Sequence, residues 1–363
     1  MKKWITLFGL VGIMMMGIIW VAVAQATTVA ILLNDDNPML EGTFPTYVKV
    51  DLSSAKIIAQ GKLDEVRYVS GAWSDTKGQR LFVRYGRHES QIAVYDIKTM
   101  SFVKNLGIIS GSAPDLDLMF FPDGKRFLVY WWNDGRNQGQ MDLYDVSTLV
   151  RVKNLDVFFW TEDVLFSQDG KRLYSIQDDD NAKVTVYDTT TWKVSEAIDL
   201  NTIWNTQTFS REVPDYRYNK LLIGENVRKS KAEPIQMTFF AYDLITRTTS
   251  VRIPTSLDCS GRLSYDATLL FANEESKVGD GIGSVGRLHV YEMVTGKKRG
   301  VVSVPTGKLE ATLAQSSWGG SLLYFITDFD SPVPVVIINP ATLGKQATLT
   351  LPIGTRYVAF GQE

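Results

Sequence analysis

One short phrase recurs seven times along this chain. A run of alternating apolar residues closes on an aromatic or aliphatic residue followed by Asp, or by a stand-in, with a small polar residue usually three positions on. The copies close on Val50-Asp51, Tyr95-Asp96, Tyr144-Asp145, Tyr187-Asp188, Tyr242-Asp243, Tyr291-Glu292 and Ile338-Asn339, so the acidic position advances in steps of 45, 49, 43, 55, 49 and 47 residues. A period in that range, with about four short strands per unit, is the signature of a β-propeller.

A second phrase precedes the first within each unit. Phe166-Ser167-Gln168-Asp169-Gly170-Lys171-Arg172-Leu173-Tyr174 is its clearest copy, with relatives starting at Phe121 and Trp73 and weaker ones at Tyr216, Ser264 and Ser317. Asp-Gly between two apolar runs predicts a hairpin turn, because Gly accepts positive φ and Asp can bond its own backbone. Each unit therefore reads as inner strand, tight turn, second strand, variable loop, third strand ending in Tyr-Asp, turn, outer strand.

Six units are complete and the seventh is split between the chain ends. Thr28 to Leu33, Tyr47 to Asp51 and Lys56 to Gly61 supply a second, a third and an outer strand, and Thr355 to Phe360 supplies an inner one. The expected fold is all-β: a seven-bladed β-propeller of four-stranded antiparallel blades, its ring closed by pairing the C-terminal strand with the N-terminal three. Closure hides edges that the alternative, an open six-blade ring, would expose. A core divided among blades also explains how one domain spans 27–363.

The first 26 residues have another character. Lys2 and Lys3 precede an uncharged apolar run from Trp4 to Val23, and Ala24-Gln25-Ala26 offers small residues where a signal peptidase reads them. The reading is a signal peptide, 1–26, cleaved after Ala26, with a periplasmic or secreted destination. The run is also long enough to be an uncleaved anchor, and only then is a membrane a partner.

Without Lys2 and Lys3 the chain carries 36 basic and 40 acidic residues, a net charge of −4. The loops joining second to third strands, taken as 34–46, 86–90, 132–139, 178–182, 225–236, 273–286 and 327–333, hold fifteen acidic residues against six basic ones. All seven share one face of a propeller. That acidic face favours a cationic partner, and an acidic exported chain argues against nucleic acid. Aromatic residues border the same loops: Phe44, Trp131, Trp132, Phe158, Phe159, Trp160 and Trp204. Such a cluster marks an interaction patch or serves as blade packing, and beside carboxylates it suits an organic cation or a basic side chain.

Catalytic motifs are scarce. His289 lies within a third strand and reads as structural; His88, in Gly86-Arg87-His88-Glu89, is the better ligand or acid–base candidate. Cys259 is the single cysteine and reads as a buried thiol, so the chain has no intrachain disulfide and no Cys-based metal site. No Gly-x-Ser-x-Gly elbow, His-x-x-x-His pair or Cys-x-x-Cys-His haem site is present. Asp178-Asp179-Asp180-Asn181 and Asn34-Asp35-Asp36-Asn37 are solvated turns or oxygen ligands for Ca²⁺, without EF-hand spacing. The candidate binding set is Arg87, His88, Trp132, Asp134, Phe158, Phe159, Trp160, Asp178, Asp179, Asp180 and Trp204. No catalytic residue and no cofactor is expected, and any metal is left open.

The phrases from Phe166 to Tyr174 and from Val184 to Val194 resemble the YVTN-type, WD40-like repeat of exported bacterial seven-bladed propellers. The resemblance spans the mature chain and is strongest over residues 67–199. Departures are the missing Gly-His pair and Tyr-Asp in place of Trp-Asp. It implies a fold and a compartment, because this repeat hosts many roles. The propeller subunits of quinoprotein amine dehydrogenases, the d1-haem-binding propellers and lactonases with this repeat are similar as well. The leading expectation is a non-catalytic binding or scaffold module that takes a protein or a small cationic ligand at its acidic, aromatic loop face. The alternatives are a subunit of a periplasmic amine dehydrogenase-like redox complex and a lactonase-like hydrolase with a metal in the tunnel.

Overall fold

The computed structural model describes residues 27–34, 45–86, 89–111, 116–133, 138–155, 163–177, 182–203, 208–217, 219–227, 236–255, 259–278, 281–306, 311–315, 320–326, 334–351 and 357–362. The recurring Tyr-Asp phrase shapes its turns. The Asp or Asn side chain accepts the N–H three residues on, at 3.2 Å for Ser54, 2.8 Å for Thr99 and Thr148, 2.7 Å for Thr191, 3.0 Å for Thr246 and 3.1 Å for Thr342. Where Glu292 stands in, the Thr295 hydroxyl donates to its carboxylate instead, at 2.8 Å. The residue four beyond the acid is then left-handed in every copy: Ala55, Met100, Leu149, Trp192, Arg247, Gly296 and Leu343, at φ between 53° and 70°. A β-bulge usually precedes the acid, as at Val94/Tyr95, Val186/Tyr187 and Val290/Tyr291, and turns the outer strand back along the third. The expected hairpin turns also form, with Gly78, Gly124 and Gly170 at φ of 64°, 65° and 68°.

Seven antiparallel sheets result, each running from an inner to an outer strand. Blade 1 is Val69–Ser74, Arg80–Tyr85, Glu89–Asp96 and Phe102–Gly111; blade 2 is Leu116–Phe120, Arg126–Asn133, Gln138–Asp145 and Arg151–Leu155. Blade 3 is Asp163–Phe166, Arg172–Gln177, Lys183–Asp188 and Lys193–Asp199. Blade 4 is Thr208–Arg217, Lys220–Val227 and Gln236–Asp243, with its outer edge split into Thr248–Thr249 and Ile253–Thr255. Blade 5 is Cys259–Leu263, Leu269–Val278, Gly281–Glu292 and Lys298–Ser303, and blade 6 is Ala311–Gln315, Leu322–Ile326, Pro334–Asn339 and Gly344–Thr350. Blade 7 joins the chain ends as the sequence predicts: Tyr357–Gln362 lies antiparallel to Thr28–Asn34, followed by Thr46–Asp51 and Lys56–Lys62.

The core lies between blades. Strand alternation sends successive side chains to opposite neighbours. Val29, Ile31 and Leu33 join a cluster with blade 1, whereas Ala30 and Leu32 join one with blade 6. Seven such clusters among the described residues fill the seven blade interfaces. Polar latches cross the same interfaces. Buried Lys49 donates from Nζ to the Ile97 carbonyl at 2.8 Å, tying blade 7 to the blade 1 turn. Arg80 donates to the Val146 carbonyl of blade 2, and the Gln362 N–H to the Gly78 carbonyl at 2.9 Å.

Some loop boundaries differ from expectation. The hairpin assigned to 273–286 continues as strand to Val278 and resumes at Gly281. Glu225, counted with the acidic loops, is buried in Lys220–Val227 with Arg252 Nη1 2.5 Å away. Short side-chain partners inside the blades keep these backbones paired further than a count of polar residues suggests.

Candidate functional site

The inner strands converge on the ring axis, and each ends at the tight turn that leads to the second strand. Around these ends lies a cavity of about 730 Å³, opening at the face that carries the tight turns. Blades 1 to 6 all contribute to its wall. A site of this size suits a small organic ligand.

Aromatic rings make much of the wall, including Trp73, Phe120, Phe166, Tyr216 and Tyr265. Trp73 is placed by its own strand: the indole lies back over Gly71, where an added Cβ would stand 2.3 Å from Cη2. Phe120 meets Phe82 edge-on with centroids 5.1 Å apart.

Among the described residues, Asp117 and Arg217 are the two Asp, Glu, Lys or Arg residues that line the cavity. Asp117, the second residue of the blade 2 inner strand, is pushed above the ordinary carboxylate range by burial, against the pull of the Leu118 N–H, Tyr130, the Arg84 charge and Trp73. Arg84 has its own ties: Nε to Ser70 Oγ and Nη2 to the Ser70 carbonyl, both at 2.7 Å, and Nη1 to the Leu116 carbonyl. Across the axis, Arg217 Nη1 lies 2.8 Å from Asp215 Oδ1 and 2.7 Å from the Tyr216 carbonyl. The other Asp215 oxygen accepts the Leu263 N–H of blade 5 at 2.7 Å. Asp215 is buried behind the wall, so of this pair Arg217 alone lines the cavity. Gln315 accepts the Tyr265 N–H and donates to the Gly320 carbonyl, each at 2.7 Å.

None of these residues belongs to the set expected from the sequence. Arg87, His88, Asp134, Phe158, Phe159, Trp160, Asp178, Asp179, Asp180 and Trp204 lie outside the described residues. Trp132 pairs through its backbone with Gly139, and its side chain is likewise outside the description. Trp131, read with the loop aromatics, is instead buried in the cluster between blades 1 and 2. Glu274, counted with the acidic loop face, is buried between Arg287 at 2.5 Å and His289 Nε2 at 3.1 Å. His289 and Cys259 are buried within blade 5, as read. A signal was available for the axial residues: Trp73, Phe120, Phe166, Tyr216 and Tyr265 all stand just before or within the repeated tight-turn phrase. Among the described residues no three His, Cys, Asp or Glu side chains gather as a metal site would require, and no helix is long and apolar enough to cross a membrane.

No protein-family model matches the sequence, and no curated protein does. Solved structures are similar in fold. Dihydro-heme d1 dehydrogenase NirN, in complex with DHE, superposes with a TM-score of 0.57 at 12% identity over 92% of this chain and 74% of its own. Apo AztD from Citrobacter koseri gives 0.56 at 9% identity, over 93% and 99%. Hydrazine synthase from Kuenenia stuttgartiensis gives 0.52 at 13%, over 85% and 90%. At such identities the likeness carries the fold alone: this chain is a seven-bladed β-propeller, and its neighbours in fold differ widely in what they do.

Proposed function

We propose that this protein is an exported, non-catalytic binding module whose rigid ring holds a small ligand in the axial cavity. The observation that carries the reading is the cavity itself, walled by six blades with an aromatic lining and an inward-facing guanidinium. A pocket shared among blades is only as mobile as the ring, and latches such as Lys49 to Ile97 and Asp215 to Leu263 fix each blade on the next. Ligands bind best where the wall is preorganised. The strand order puts the ends that join second to third strands opposite the tight turns, and the acidic, aromatic face expected there from the sequence is proposed as the surface for a protein or a small cationic partner. Export rests on residues 1–26.

The experiment is a crystal structure of the protein purified gently from its native source. Ligand density on the axis between Trp73 and Arg217 is the expected result. Density confined to the opposite face would overturn the axial reading.

A further inference from the structure

At the Arg217 side of the axial cavity the hydrogen-bonding capacity left over is that of a donor. Asp117 already accepts the Leu118 N–H at 2.7 Å, and the Arg84 charge and the Tyr130 and Trp73 side chains surround it. The Gln315 carbonyl oxygen is taken by the Tyr265 N–H. Asp215 spends both oxygens, on Arg217 and on Leu263. The donors are not exhausted. Arg217 uses Nη1 alone, and its Nε and Nη2 hydrogens find no acceptor among the described residues. Gln315 gives one amide hydrogen to Gly320 and keeps another.

A ligand that matches this wall therefore brings acceptors, and one that matches the rings beside it is flat. Arg217 is anchored at one nitrogen, so the guanidinium is oriented before the ligand arrives, and a planar fork reads a carboxylate in two parallel hydrogen bonds. Asp215 steadies the guanidinium from behind without lining the cavity.

We propose that the axial cavity takes a small planar carboxylate, an aromatic or conjugated acid, with its carboxylate on Arg217 and its flat face against the aromatic wall that includes Trp73 and Tyr265. This inference rests on the axial binding reading above and specifies its ligand class.

Three naphthalene probes of like shape test it by titration calorimetry on the mature chain: 2-naphthoate, neutral 2-naphthamide and cationic 2-naphthylmethylammonium. The expected result is preference for the anion, with Arg217→Gln weakening naphthoate by roughly 10- to 100-fold, as loss of a charge-assisted contact does, and leaving naphthamide nearly unchanged. Ser74→Phe, which fills the cavity from the blade 1 strand, should abolish binding of all three. Should Arg217→Gln fail to fold, the charge preference of the natural protein and the Ser74→Phe variant still decide. Equal binding of the three probes, or preference for the cation, overturns the carboxylate while leaving an axial site. Binding that survives Ser74→Phe, or no binding by any probe, overturns the axial reading itself.

Discussion

Asp215 and Arg217 stand two residues apart at the end of the blade 4 inner strand, and their side chains meet at 2.8 Å while the other Asp215 oxygen accepts the Leu263 N–H of the next blade. One carboxylate thus joins two blades and aims a guanidinium at the axis. Asp215→Ala should lower stability by about 2–3 kcal/mol, toward the low end for a broken buried pair because Arg217 keeps some solvent contact. Denaturant unfolding reads the loss. A change within about 0.5 kcal/mol, typical of an exposed surface site, would deny the latch.

The left-handed position of the Tyr-Asp turn makes opposite predictions for two blades. Gly296→Ala should cost about 1–2 kcal/mol, since an L side chain is strained there, and its Cβ would lie 3.1 Å from Val251 Cγ1. Ala55→Gly, at φ 53°, should gain about 0.5–1 kcal/mol as the same strain is relieved against Gly's greater freedom when unfolded. Melting temperatures moving in the same direction would contradict this account of the turn.

Gly71 is the platform for Trp73. Gly71→Ala places a methyl 2.3 Å from the indole and forces it off the wall and away from Asp117. The expected cost is about 1–3 kcal/mol, as for overpacking elsewhere, with a changed tryptophan emission spectrum and weaker binding of naphthoate. An unchanged spectrum together with unchanged affinity would show that the indole is not held as described.

The turn carboxylates set an acid limit. Asp145 is pulled down to about 2 by the Ser147 hydroxyl and by the Thr148 N–H and hydroxyl. Asp169 and Asp188 are lowered too, by Ser167 and Lys171 and by Thr191. In Asp51 and Asp96 burial pulls the other way, and hydrogen bonds together outweigh it. A group with a folded pKa below its unfolded one stabilises the fold above about pH 4 and ceases to as pH falls toward the folded value. Asp75 and Asp117, raised by burial, act in the opposite sense, stabilising at low pH and less above it. The lowered group is the larger, so stability should fall between about pH 4 and 2. Replacing Asp96, Asp145 and Asp188 together by Asn keeps the turn acceptor, as Asn339 does naturally with the Thr342 N–H at 3.1 Å. The acid branch of a melting-temperature profile should flatten in that variant; an identical branch would place acid sensitivity elsewhere.

Blade number, the split blade and the chain-end pairing were legible because turn chemistry repeats: Asp at the end of the third strand and Asp-Gly after the inner one each have a local physical cause. The pairing of the last strand with the first follows from completing the seventh unit, although the strand runs Tyr357–Gln362, to two residues beyond the Phe360 at which the sequence reading ended it. The axial site was not legible in the same way. Trp73, Asp117 and Arg217 are far apart in the chain, and only the convergence of inner strands brings them to one wall. Polar residues also misled: Glu225 and Glu274 read as loop-face carboxylates until their partners Arg252 and Arg287 are seen beside them. The loop-face set, from Arg87 to Trp204, was read from composition, which says how acidic a face is and nothing of which side chains converge.

The most direct measurement is native mass spectrometry of the protein purified gently from its native source, beside its Ser74→Phe variant prepared identically. The natural chain should carry a small-molecule adduct that the variant lacks, since the new ring occupies the cavity. An adduct retained equally by both, or by neither, would contradict a ligand site on the propeller axis.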